Sequence, residues 1–193
     1  MNTIFELPRG IYGAYDNSGI TFTPVAGYKM ELVSDQKWTH VFRVACSVEY
    51  LDTLIRALID VCLPESIYAI LCGHWFDDRI DTYLSDFMSW PQIVEVFSPH
   101  LPLLLHDGMV GYGFACYNVD RHEEIFLDDH KELTILTSVP FAVAEVLSFH
   151  GLPRNDKLEF LSEHAHAHVN LGGQDATYCH QIIQELRMEK VHR

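Results

Sequence analysis

His164-Ala165-His166-Ala167-His168 places an imidazole at every second residue. On an extended strand alternate side chains leave the same face, with neighbours about 6.6 Å apart from the strand rise. Neutral imidazole is a ligand for zinc, nickel and copper, so adjacent members of the triplet are candidates to share one divalent ion. A straight strand does not easily bring all three to it. On a helix, His164 and His168 would pair at i,i+4 and His166 would point away. The leading expectation is a polar surface strand with no cofactor, and the alternative is a zinc or other divalent transition-metal site at His164, His166 and His168. With a carboxylate base beside it, such a site would make a metal-dependent hydrolase.

His106-Asp107-Gly108 is similar to the His-Asp dyad of metal-dependent phosphohydrolases. Those enzymes carry the dyad in an all-helical fold, with further His and Asp ligands at helical spacing. Here it precedes a strand-like run, where Asp107-Gly108 is turn chemistry. The chain holds no G-x-S-x-G, no P-loop and no G-x-G-x-x-G. Gly111 and Gly113 lie inside an apolar strand, which predicts a helix or backbone packed closely over that face. Cys46, Cys62, Cys72, Cys116 and Cys179 all sit in apolar runs without a C-x-x-C pair, as buried reduced thiols do.

Charge points to a second class of function. The 193 residues carry 27 acids against 13 bases, a net charge of −14. A field of that sign repels nucleic acid and anionic lipid and favours a basic protein partner. Between Asp77 and Glu132 there are 12 acids and three bases, so nine of the 14 excess charges fall in this window. Several of these acids sit beside Trp75, Phe76, Tyr83 and Phe126. Charge steers an approach and aromatics anchor it, so Trp75, Asp77, Asp78, Asp81, Asp120, Glu123, Glu124, Asp128 and Asp129 are the candidate partner-binding residues. The leading expectation is therefore a small acidic protein that neutralises or regulates a basic partner, as an immunity protein or antitoxin does. A metal-dependent hydrolase is the alternative, and a structural or regulatory subunit the third.

These residues need elements to hold them. Met109 to Asn118 is apolar on both alternating faces, the mark of a central strand covered on both sides. Turn residues at Asp107-Gly108, Asn118 to His122 and Asp128 to His130 predict an antiparallel meander. Asp16-Asn17-Ser18 reads as the turn of an N-terminal hairpin, and Thr39 to Cys46 as a strand. Ser47 caps a helix with Leu51, Leu54, Ile55, Leu58 and Cys62 on one face, stopped by Leu63-Pro64. Further helices start near Ser89-Trp90-Pro91, Ser98-Pro99, Ser138-Val139-Pro140 and Asp175. Gly73 to Asp86 reads as loop and edge strand, and a strand is predicted from Lys157 through His168.

Strand, Ser-Val, helix and Leu-Pro recur in both halves, with Ser47 matching Ser138, which suggests a pair of β-α-β units. The fold expected is one α+β domain over residues 1–193: a mixed, mainly antiparallel sheet with a central meander, covered by three or four helices. The N-terminus lacks signal-peptide regions and no apolar run reaches a membrane span, so a cytoplasmic location is expected.

Overall fold

The run that is apolar on both faces, Val110–Tyr117, lies inside a nine-stranded sheet. The computed structural model describes residues 5–34, 37–74, 80–117, 122–173 and 176–191. In chain order the strands are β1 (Ile11–Gly13), β2 (Gly27–Leu32), β3 (His40–Ala45), β4 (Ser66–Gly73), β5 (Asp81–Leu84), β6 (Met88–Ser89), β7 (Val110–Tyr117), β8 (His122–Leu127), β9 (Leu133–Thr137), β10 (His166–His168) and β11 (Glu189–Val191). The helices are α1 (Val48–Cys62), α2 (Trp90–Phe97), α3 (Leu101–Leu104), α4 (Pro140–Phe149) and α5 (Thr177–Glu185). The sheet runs β11-β5-β4-β7-β8-β9-β3-β2, with β6 on β4, while β1 and β10 form a separate pair. Every ladder between these strands is antiparallel, so the fold is a single compact α+β domain with its predicted meander β7-β8-β9 at the centre.

Helix α1 covers the span its pattern predicts, burying Leu51, Leu54, Ile55, Leu58 and Cys62, and Arg56 meets Asp52 at 2.8 Å one turn back. Helix α4 ends as expected. Gly151 takes φ +73°, a left-handed conformation that suits glycine, and Leu152 N–H closes the turn on Leu147 O at 3.0 Å. The predicted cap Asp175 lies outside the described residues. No helix among the described residues is long and apolar enough to cross a membrane.

The repeat is half realised. Strands β3 and β4 run in the same direction with β7, β8 and β9 between them, so β3-α1-β4 is a β-α-β unit with a wide crossover. After α4, however, the returning segment makes only one parallel bridge, Arg154 to Tyr28 on β2. The strand expected from Lys157 to His168 is replaced by a turn, a 3-10 turn at Leu161–Glu163 and the short β10. Side chains claim its backbone: Glu163 accepts Phe160 N–H at 3.1 Å and Glu132 accepts Ser162 N–H at 2.9 Å. The N-terminal hairpin is likewise reduced to a bridge between Tyr15 and Thr21 around the Asp16 turn.

Tyr112 and Phe114 pack against Phe97, and Trp90 meets Phe114 edge-on, so this face of β7 lies under the helices. Gly111 and Gly113 share the opposite face, where the close approach expected of a helix or backbone is made by β8: a β-carbon on Gly111 would lie 2.9 Å from Leu127 O and one on Gly113 2.5 Å from Ile125 O. The Phe126 ring lies over both positions. A β-carbon on Gly111 would lie 3.0 Å from Phe126 Cζ, and one on Gly113 would lie 2.8 Å from Phe126 Cδ2. None of the five cysteines is in a disulfide; four are buried and Cys72 is half-buried.

A candidate metal centre of three histidines

Two of the three predicted histidines meet a third that the spacing did not point to. His130 stands in the turn between β8 and β9. Asp128 shapes that turn, accepting Glu132 N–H through Oδ1 at 2.8 Å and Lys131 N–H through its carbonyl at 3.1 Å. Lys131 takes a left-handed φ of 59° and its buried ammonium donates to Val110 O, tying the turn to β7. Burial lowers the Lys131 pKa to about 8, against the attraction of Asp128.

His166 and His168 come from β10, which β1 holds in register by pairing Gly13 with His166 and Ile11 with His168. Beneath this pair the 106–108 turn is locked on. Gly10 N–H donates to His106 O at 2.8 Å, and Gly108 N–H to Val169 O at 3.2 Å. A β-carbon on Gly10 or Gly108 would overlap the other segment's backbone, so both positions need glycine.

The ligand nitrogens of His130, His166 and His168 all lie within 4.8 Å of one another, and the Nε2 atoms of His130 and His166 are 3.0 Å apart. Two nitrogens bound tetrahedrally to zinc at ordinary bond lengths would be about 3.3 Å apart. The Nδ1 atoms explain the orientation. His166 Nδ1 is 2.7 Å from His164 O, and His168 Nδ1 bonds to Gly108 O. A carbonyl only accepts, so each Nδ1 carries the proton and each Nε2 presents a lone pair. His130 Nδ1 lies 3.0 Å from Asp129 Oδ1 and 3.7 Å from Asp128 Oδ2, the carboxylate-histidine arrangement that orients metal ligands. Asp129 Oδ2 also lies 3.6 Å from His74 Nε2.

His130 and Asp129 shift each other's ionisation. Burial works against a charge on His130, but hydrogen bonds to Asp128 and Asp129 outweigh it and raise the pKa to about 10. Asp129 answers in the opposite sense. Burial would raise its pKa, yet the hydrogen bond from His130 brings it down to about 2. His168 is lowered, chiefly by burial.

No protein-family model, curated protein or solved structure matches the chain.

The geometry therefore has to speak for itself, and it rearranges the expected sites. His164 contributes its carbonyl and not its ring: the imidazole stacks on Phe22 at 3.9 Å, with Nε2 3.5 Å from Glu159. The phosphohydrolase-like dyad does not form a site. Buried Asp107 accepts from Met109 N–H, Gly172 N–H and Tyr178 O–H at 2.9–3.0 Å, and His106 Nδ1 accepts Arg9 N–H at 3.1 Å. Asp107 is an anchor for the turn.

The predicted acidic surface also changes character. Glu123 is fully buried and accepts from Ser138 N–H and O–H, while Glu124 is buried and accepts from Tyr117 O–H. Both lie on β8, whose two neighbouring strands enclose it. Asp81 pairs with Lys190 at 2.6 Å, and Asp128 and Asp129 serve His130. Trp75, Asp77, Asp78 and Asp120 lie outside the described residues.

Proposed function

We propose that this protein is a metalloprotein that holds one divalent transition ion, zinc by ligand type, on His130, His166 and His168. The observation that carries the reading is the convergence of ring nitrogens of His130, His166 and His168 within 4.8 Å of one another, with an acceptor on each Nδ1. Half-buried imidazoles bring ring nitrogens together at a cost unless a proton or a metal lies between them. Three nitrogen ligands leave a fourth position for water, the donor set of metal sites that activate water for hydrolysis. Asp128 Oδ2, 3.7 Å from His130 Nδ1, stands with Asp129 behind the ring and helps to orient it. Metal-dependent hydrolysis is thus the chemistry the cluster supports best. Five cysteines outside disulfides fit a reducing, cytoplasmic setting.

The test is a cobalt(II) titration of chelator-treated protein. One ion per chain with the visible absorption of a tetrahedral nitrogen site supports the reading, provided zinc displaces it and His166→Ala abolishes it. Absence of binding at micromolar metal would leave a protonated His130 hydrogen-bonded to His166 and end the metal reading.

A further inference from the structure

Among the described residues, α2 packs its rings on the Tyr112 and Phe114 face of the sheet. On the opposite face, five aromatic rings form an unbroken strip across the sheet. Phe87, just before β6, lies 5.0 Å from Tyr68 on β4, and Tyr68 stacks 6.1 Å from Tyr117 on β7. Tyr117 lies 6.0 Å from His122 on β8, and His122 meets Trp38 edge-on at 6.2 Å. Sheet register makes the strip: Tyr68 pairs with Ala115 and Tyr117 with His122, so these side chains share the face opposite Tyr112 and Phe114. Phe87 is 49% exposed and the other four are half-buried, so the strip presents ring surface to solvent. Beneath it Glu124 accepts from Tyr117 O–H, and exposed Asp86 adjoins Phe87. Lys37 beside Trp38 and Arg121 beside His122 are the bases that adjoin the strip in sequence.

We propose that this strip docks a cationic segment of a protein partner whose arginine side chains lie over the rings. Aromatic faces attract guanidinium groups, and the planar guanidinium stacks on a ring as a lysine ammonium does not. A net charge of −14 complements such a segment and opposes the other common ligand of aromatic strips, a nucleic acid. The strip sits at the opposite end of β8 from His130, so the proposal does not depend on a metal.

The test compares binding of nonaarginine and nonalysine peptides to the full chain, followed by titration calorimetry. Nonaarginine is expected to bind more tightly, and Phe87→Ala and Tyr68→Leu to weaken it about three- to tenfold each. Phe141→Ala, which removes an exposed ring on α4 at the helical face, is expected to leave binding and the melting temperature unchanged. Phe87 is exposed enough for its variant to fold, which keeps the test open should Tyr68→Leu prove unstable. Equal binding of both peptides, or insensitivity to Phe87→Ala, would show diffuse electrostatics and overturn the proposal. So would tighter binding of a single-stranded oligonucleotide, or self-association that Phe87→Ala abolishes.

Discussion

The Nε2 atoms of His130 and His166 lie 3.0 Å apart across 36 residues of sequence, one from a β turn and the other from a three-residue strand. Their contact is made by the pairing of β10 with β1 and by the Asp129 carboxylate behind His130. Each support can be removed separately.

Asp129→Asn should weaken metal binding about tenfold to a hundredfold while leaving one site per chain, because it removes the group that orients His130. His164→Ala should leave affinity unchanged, since only its carbonyl serves the cluster. Zinc affinities from a chromophoric chelator competition check both. An affinity loss in His164→Ala equal to that in His168→Ala would show that the ring is a ligand after all.

In the chelator-treated protein, stability should fall as pH rises from 6.5 to 8. His130 has a folded pKa of about 10 against an ordinary 6.5, so within this interval the folded state keeps a proton that the unfolded state has lost. The contribution is complete below pH 6.5 and disappears as pH passes the folded value. Lys131 acts in the opposite sense only above about pH 8, where its folded state begins to lose the proton first. The downward shift of His168 acts below 6.5. Urea midpoints across the interval, for wild type and His130→Gln, measure the slope, and a wild-type slope no steeper than the variant's would refute the assignment.

Gly113→Val should cost about 1–3 kcal/mol by overpacking. Its β-carbon would lie 2.5 Å from Ile125 O and 2.8 Å from Phe126 Cδ2, so backbone and ring must both shift. Thermal melts against wild type decide the matter; coincident melts would mean that the Phe126 ring does not cover β7 in solution.

Thiol reactivity should divide the cysteines. Burial pushes the Cys46 and Cys179 pKa values up to about 12, so both should resist a disulfide-exchange reagent at pH 8 until the protein unfolds. Half-buried Cys72 should react first. Mass spectrometry of the labelled peptides identifies the order, and early labelling of Cys46 or Cys179 would contradict the packing.

Local pattern was enough for much of this fold. Alternation of apolar side chains, turn residues and helix stops act within a few residues, and they determined the α1 span, the β7-β8-β9 meander and the left-handed stop at Gly151. The candidate site was legible only in part. His166 and His168 share a face because they are two apart on a strand, as one of the two local readings has it, and the pairing of β10 with β1 makes that strand. That His130 completes the set, and His164 does not, follows from where β1 pins β10 against the turn after β8. Glu123 and Glu124 make the same point for the acids: the sequence shows charge, but the neighbours β7 and β9 take both side chains out of water. Such outcomes depend on contacts between segments distant along the chain, and spacing within one segment carries no information about its partner. Charge and composition belong to the sequence alone, whereas the convergence of ring nitrogens and the aromatic strip exist only once the strands have paired.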